Sequence, residues 1–551
     1  MSSVRSYDPG ELELIKDAWL ADPQSDKQTS LFDQTWNDMN MDRVFARIDT
    51  CASLAGEERL YAMLREPFSD AEELRRRDEL IRLFDNEKDL SREYRGRLEG
   101  IGRDIKQPAS VTVKKLSEAG QQGNIGHILC ALLGVFSICM IFVSPTAGLI
   151  IFLITLILNI STYFRRKEQI GEYLSCFSYL IRAYRAARSM LSVRDDPERS
   201  YRKKLERAVS VLSGVVRGGF LLTGGRGLTG GLINMLLDYL RIFFHLDLMK
   251  FNSMQKKVLE HKDDIEELFI ALGEIDAFIA VAEYRRSLPF WCVPELIISG
   301  DDSERGIMGN AETESKDNAI TENGGIRDSK AGIEVKRLSH PLLDHPVASD
   351  IRASGKGVLV TGSNASGKST FLRSVGLAAI LGQSLATVYA ESYRASRFYI
   401  VSSMTVADDI VSGSSYYMAE IKAVKRLIDA CGRGIPVLCF VDELLKGTNT
   451  IERIASSSEI LKSLVRDNVI CFAATHDAEL TDMLAGHYDN YHFEEDISDG
   501  DVKFSFKLME GSAKSRNAIR LLEIMGYDES ITEAAVKRAE EFEKTGEWGR
   551  L

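Results

Sequence analysis

Three groups of side chains in this sequence have the types and spacing for phosphate chemistry. Residues 362–370 read GSNASGKST, and 362–369 satisfy G-x-x-x-x-G-K-[ST] at every specified position. Glycines let successive backbone N–H groups converge on phosphate oxygens, and a helix starting at the lysine turns its positive N-terminus toward them. Gly362, Ser363, Asn364, Ala365, Ser366, Gly367, Lys368, Ser369 and Thr370 are therefore the expected nucleotide cradle. Lys368 is expected to reach the β- and γ-phosphates and Ser369 to ligate Mg²⁺. The second group ends the run IPVLCFVDE at 435–443. There Asp442 is expected to hold Mg²⁺, directly or through water, and Glu443 to polarise the attacking water as general base. The third is His476, after VICFAAT at 469–475, which is expected to sense the γ-phosphate. Each alone has a plainer reading: a glycine-rich turn, an ordinary apolar strand, a structural histidine. Together they define an ATP and Mg²⁺ site.

Such groups work only if secondary structure brings them together. Val358, Leu359 and Val360 suit a buried parallel strand, and FLRSVGLAAILGQSL at 371–385 suits the helix that must follow the loop. The apolar runs before Asp442 and His476 read as two further buried strands whose C-terminal ends meet the ligand. Residues 332–511 are thus expected to form an α/β P-loop (ABC-type) ATPase domain.

The rest of the chain reads differently. Residues 1–118 are expected to be mainly helical, with apolar positions at three- and four-residue spacing and a capping box formed by Ser69 and Glu72. Arg75, Arg76 and Arg77 lie among Glu72, Glu73, Asp78 and Glu79, which reads as a solvated helix face rather than a DNA-facing one. Residues 119–164 contain no Asp, Glu, Lys or Arg. Within them 125–143 and 147–164 are each close to the ~20 residues that span a bilayer, joined by a Ser-Pro-Thr turn. A transmembrane hairpin within 119–168 is expected; the competing reading is a buried hairpin in a soluble core. Lys114 and Lys115 before it and Arg165, Arg166 and Lys167 after it leave both ends in the cytoplasm by the positive-inside rule. Residues 169–298 return to charged, periodic helix. In this region the glycine-rich 218–231 reads as a flexible connection. The apolar stretch 232–249 reads as a packed soluble helix because it carries Asp238, Arg241, His245 and Asp247. Residues 299–331, polar and nearly free of large apolar side chains, read as a disordered linker.

Composition narrows the class. The 551 residues exceed what one compact core needs. A net charge of −12 argues against a protein that coats nucleic acid over its whole surface, though not against a local basic face. Eight scattered cysteines, without a C-x-x-C pair, read as free thiols in a reducing compartment, and the first residues lack a secretory apolar core. The expected location is a membrane, with the ATPase domain cytoplasmic.

Residues 408–424, DDIVSGSSYYMAEIKAV, carry a resemblance. They are similar to the signature of the MutS family of mismatch-repair ATPases, DD-x-x-SG-x-S-x-[FY]-M-x-E, at Asp408, Asp409, Ser412, Gly413, Ser415, Tyr417, Met418 and Glu420. The family pattern DE-x-x-x-GT-[SN]-T is matched by Asp442, Glu443, Gly447, Thr448, Asn449 and Thr450, and its ATH by Ala474, Thr475 and His476. Residues 48–67 resemble the family's helical core, through Asp49, Thr50, Gly56, Arg59, Leu60, Leu64 and Pro67. Residues 272–283 resemble the end of its lever helix, and 512–551 its C-terminal helical dimerisation segment. The resemblance implies a homodimer with two composite sites, in which Ser412, Gly413 and Ser415 of one subunit complete the γ-phosphate site of the other. ATP binding would close that dimer and hydrolysis would open it. Two departures stand out: the stretch before Asp33 is too short for a mismatch-reading domain, and the hairpin interrupts the helical core. The chain looks like a membrane-anchored relative that grips or senses DNA with its helical arms. The alternative is an ATP-driven switch acting on membrane or protein partners without DNA. A transporter ATPase fits less well, since one hairpin is too little membrane for a translocation path.

Overall fold

The computed structural model describes residues 5–22, 25–67, 70–103, 114–115, 123–193, 199–217, 239–297, 330–363, 366–404, 416–498, 501–512, 518–548 and 550. The chain divides into two compact units. The first comprises Met1–Ser25, Ala46–Met63 and Glu79–Arg286, the second Asp26–Phe45, Leu64–Asp78 and Ser287–Leu551.

Among the described residues there are ten strands, all in the second unit: β1 (Glu295–Ile297), β2 (Gly332–Leu338), β3 (Ser349–Ser354), β4 (Gly357–Thr361), β5 (Ser392–Ser396), β6 (Tyr399–Ser403), β7 (Val437–Asp442), β8 (Val469–Ala474), β9 (Tyr488–Ser498) and β10 (Asp501–Glu510). Six form a sheet in the order β10-β9-β4-β8-β7-β6, parallel except for the β9/β10 hairpin. The other four form a second sheet, β1-β5-β2-β3. The three strands expected from their apolar runs are β4, β7 and β8, and they lie at the centre of the larger sheet. They are apolar throughout because a parallel strand covered on both faces has no solvent side. Alternate residues serve opposite faces. Cys439 and Val441 pack with Val424, Leu427 and Cys431 of helix Tyr416–Cys431, while Phe440 and Phe472 stack with ring centroids 5.7 Å apart. Phe371, from helix Lys368–Leu385, meets Phe472 edge-on at 6.2 Å.

Two N-terminal segments belong to this unit although they precede the helical region in sequence. Buried Asp38 accepts from Ser402 Oγ at 2.6 Å and from Met404 N at 3.0 Å, just past the end of β6. Arg77 is a correction to the solvated-face reading: it is 7 % exposed, pairs with Glu73 and donates to the Ser384 carbonyl at 2.7 Å. That carbonyl lies in the last turn of helix Lys368–Leu385, where the helix offers it no partner. Arg75 and Arg76 are exposed, as expected. Ser69 lies outside the described residues.

The first unit is helical. The two segments that resemble the family core meet here. Asp276, buried in helix Lys262–Ser287, accepts from Ala52 N (3.0 Å), Ser53 N (2.8 Å) and Ser53 Oγ (2.6 Å). It thereby satisfies donors just before helix Leu54–Arg65, a capping role supplied from a distant helix. The approach is close enough to require a glycine, since a Cβ on Gly56 would lie 2.4 Å from Asp276 Oδ2. Thr50 donates to Glu283 at 2.6 Å and Arg59 to Glu274 at 2.8 Å.

Helices Ile125–Val143 and Pro145–Met190 form the apolar hairpin. Both have a segment long and apolar enough to cross a membrane, Ile125–Val143 and Pro145–Gly171, and these segments are mostly exposed: Ile125 is 75 % exposed, Phe142 86 % and Ile157 68 %. The second helix continues unbroken past residue 168 to Met190. Residues 239–245 pack along this hairpin, and the single helix expected over 232–249 is interrupted at His245. Phe243 abuts Gly134 and Phe152, and its carbonyl accepts from Asn159 Nδ2 at 3.0 Å. His245 adopts φ 53°, ending that short helical segment before helix Leu246–Glu260 begins. The polar residues are absorbed locally: His245 Nδ1 meets His127 Nδ1 at 3.0 Å, and Tyr163 donates to Asp247 at 2.7 Å. Residues 218–231 lie outside the described residues, as does 299–329 of the expected linker. All eight cysteines are free, five of them buried.

Candidate functional site

The strand order explains the site. Strand β8 lies between β4 and β7, so the residue after β8 falls between the phosphate loop that follows β4 and the carboxylates that end β7. His476 Nε2 is 2.7 Å from Glu443 Oε1 and 3.2 Å from Lys368 Nζ. A carboxylate accepts only, so Nε2 donates to Glu443 and cannot also accept from Lys368. Lys368, 2 % exposed, instead donates to the carbonyls of Gly362 and Ser363, each at 2.7 Å. Ser369 Oγ donates to Asp442 Oδ2 at 2.5 Å. The structure thus brings together Lys368, Ser369, Asp442, Glu443 and His476.

The loop has the backbone its chemistry needs. Gly362 (φ 138°) and Gly367 (φ 108°) take left-handed conformations that only glycine adopts cheaply. No side chain caps helix Lys368–Leu385 at Gly367, so its first-turn N–H groups are available to an anion. The Ser363 hydroxyl is buried without a hydrogen-bond partner among the described residues. Ser366 donates to the Ser363 carbonyl at 2.8 Å and Thr370 lies in the first turn of helix Lys368–Leu385; Asn364 and Ala365 are outside the described residues, as are Ser412, Gly413 and Ser415.

Glu443 is held as an anion. Hydrogen bonds from His476 and, at 2.8 Å, Lys446 outweigh partial burial and pull its pKa down to about 2. Its φ of 54° costs about 1 kcal/mol for a residue with a side chain, and its N–H donates to the Ala474 carbonyl at 2.9 Å, joining the ends of β7 and β8. Beyond it, Asn449 caps helix Thr450–Ser463 through Glu452 N at 3.0 Å. Glu420, 4 % exposed, accepts from Lys446 N at 3.3 Å, so the helix that carries the end of the signature touches the carboxylate loop.

Sequence reasoning missed several positioning residues. Arg453 forks onto Asp477 at 3.0 and 2.6 Å and so anchors the loop carrying His476; no spacing rule links the two. A cavity of about 380 Å³ opens beside Gly367 and Ser369, walled by His340, Pro346, Val347, Phe493 and Phe506. Burial, with Arg373 nearby, lowers the His340 pKa to about 4, so its imidazole is neutral at physiological pH. Its size and apolar character suit a nucleoside. The aromatic residues on β9 and β10 gave a signal in their alternation that was not read.

The residues present fit ATP and Mg²⁺. Lysine, open helix N-terminus and buried hydroxyl suit phosphates, and Ser369 with Asp442 offers the two hard oxygens that Mg²⁺ takes from protein when phosphates supply others. Among the described residues no cluster of three or more acidic, histidine or cysteine side chains could hold a metal by itself.

A parallel sheet with this loop, a carboxylate pair and a histidine bonded to one of those carboxylates at its strand ends defines a P-loop ATPase domain. Residues 358–543 match MutS domain V, the ATPase domain of its family. Similar proteins are the DNA mismatch repair protein MutS of Natronomonas pharaonis (28 % identity over 54 % of this chain and 31 % of that protein), the DNA mismatch repair protein MSH3 of Phaeosphaeria nodorum (31 % over 37 % and 19 %) and MutS of Thermus thermophilus (28 % over 37 % and 25 %). The chain spans less than a third of the length of these curated relatives. Residues 358–543 are thus an ATPase domain of the MutS type.

Proposed function

We propose that this chain is a Mg²⁺-dependent ATPase that works as a homodimer with composite sites, tethered to a membrane with its ATPase domain in the cytoplasm. The observation that carries the reading is the convergence of Lys368, His476 and Glu443 beside the Ser369–Asp442 pair. Bound Mg²⁺ would supply charge neutralisation at the phosphates. Lys368 is poised to exchange its two loop carbonyls for phosphate oxygens. His476 holds the Glu443 carboxylate, and its release frees a base at the site's edge. Membrane attachment draws support from the hairpin's exposed apolar side chains, which a soluble core would bury. Dimerisation draws support from apolar residues exposed near the site, Met418 and Ile451, and in the C-terminal segment, Met525 and Tyr527 between its two helices and Ile531 on the second. The relatives' names make DNA the partner on which the cycle acts in this reading.

Mixing subunits tests it. Lys368→Ala and Ser415→Ala homodimers should each lose ATP hydrolysis, whereas a mixture should regain about a quarter of native activity per total subunit, because half the dimers are mixed and each has one intact site. No recovery on mixing would reject composite sites, and full activity of the Lys368→Ala homodimer would reject the ATPase site itself.

A further inference from the structure

A second cavity, of about 590 Å³, opens in the helical unit where the ends of helices Pro145–Met190 and Arg199–Val216 lie together. Arg185, Arg188 and Arg217 line it with serine hydroxyls, buried Tyr184 forms part of its wall, and none of the lining side chains is acidic. The two helix arginines are one turn apart, and Arg217 follows the last residue of the neighbouring helix.

Among the described residues these cations are uncompensated. Elsewhere in the unit Arg59, Arg95 and Arg202 each pair with a carboxylate. Arg185, Arg188 and Arg217 have no such partner among the described residues, and neither does the Tyr184 hydroxyl have a hydrogen bond there. Like charge accumulates nearby: burial, and then Lys257 and Arg217, lower the pKa of Lys250. Residues 173–217 contain ten basic and four acidic side chains in a chain whose net charge is −12. Mutual repulsion of this kind is relieved by an anion, and guanidinium forks match phosphoryl oxygens in pairs.

Position restricts the source of that anion. Arg185 lies about 30 Å beyond Phe164 along one unbroken helix, at 1.5 Å per residue. A headgroup of the bilayer that receives the hairpin is too distant. We propose that this cavity is a phosphate-binding site, separate from the ATP loop, which holds the phosphoryl groups of a soluble ligand: a nucleic-acid backbone or a small phosphate ester. The site stands on its own cations and does not depend on ATP hydrolysis; in its nucleic-acid form it locates the DNA contact of the proposed function.

The test is the full-length Arg185→Ala/Arg188→Ala/Arg217→Ala variant with three probes: a labelled 30-base-pair duplex, inorganic pyrophosphate with the ATP loop saturated by a non-hydrolysable analogue, and vesicles rich in anionic phospholipid. If the ligand is a nucleic-acid backbone, the slope of log K against log salt for the duplex falls by about two to three relative to native protein, near 0.9 per lost phosphate contact. If it is a small ester, pyrophosphate binding falls at least tenfold and the duplex slope is unchanged. Basal ATPase activity stays at the native value in either case, showing that the fold is intact. The Arg185→Lys/Arg188→Lys/Arg217→Lys variant, which keeps charge without the paired N–H fork, retains most of the salt slope and guards against a misfolded alanine variant. Native binding of both soluble probes by the alanine variant overturns the proposal, as does a loss confined to vesicles or an absence of binding by native protein.

Discussion

Glu443 concentrates the chemistry of the site in one side chain. Glu443→Gln keeps the shape and loses the base, so ATP binding should persist while kcat falls by about 10²–10⁴. Unchanged kcat would remove Glu443 from the role. Because hydrogen bonds from His476 and Lys446 hold its pKa at about 2, an acid limb in the ATPase profile between pH 5 and 7 belongs to another group. The sign for stability follows. A depressed carboxylate pKa contributes stability that is present above the ordinary value of 4.5 and is lost as pH falls from there through about 2. The residue types were readable in sequence because phosphate chemistry leaves few substitutes for Gly, Lys, Ser, Asp and Glu at those spacings. The hydrogen bond that restrains Glu443 was not, since it joins residues from two strands.

At the level of elements, the pairing of helices Leu54–Arg65 and Lys262–Ser287 rests on Asp276. Its carboxylate replaces a local cap, and burial, opposed by hydrogen bonds from Ser53 and Ala52, raises its pKa to about 6. Ionising it costs the folded state relative to the unfolded chain as pH rises from 3.8 through about 6. Asp276→Ala leaves the buried Ser53 N–H without its acceptor and should destabilise the helical unit by about 2–4 kcal/mol, read by urea unfolding with circular dichroism. Asp276→Asn keeps an acceptor and should lose less, together with that pH dependence. A loss under 1 kcal/mol for the alanine variant would show that the helices hold their pairing without it. Periodicity located both helices, but the bonds between them span more than two hundred residues. The same distance effect misled the reading of Arg77, which looked solvated among its sequence neighbours and finds a partner on a remote element.

For the whole molecule, the hairpin carries the proposed membrane setting of the ATPase. After alkaline carbonate extraction the native chain should stay with the membrane pellet; release into the supernatant would reject integral insertion and leave the exposed apolar surface to a protein partner. Sequence alone determined the ATP loop, the Asp442–Glu443 pair, the apolar hairpin and the MutS type of the ATPase domain, because local chemistry and local periodicity encode each of them. Tertiary structure decided the rest. It set β8 between β4 and β7 so that His476 holds Glu443 beside Lys368, drew residues 26–45 and 64–78 into the ATPase unit, and gathered Arg185, Arg188 and Arg217 around one cavity. These are contacts between residues far apart in the chain. They follow from which apolar faces pack together, and side-chain order along a sequence does not specify that.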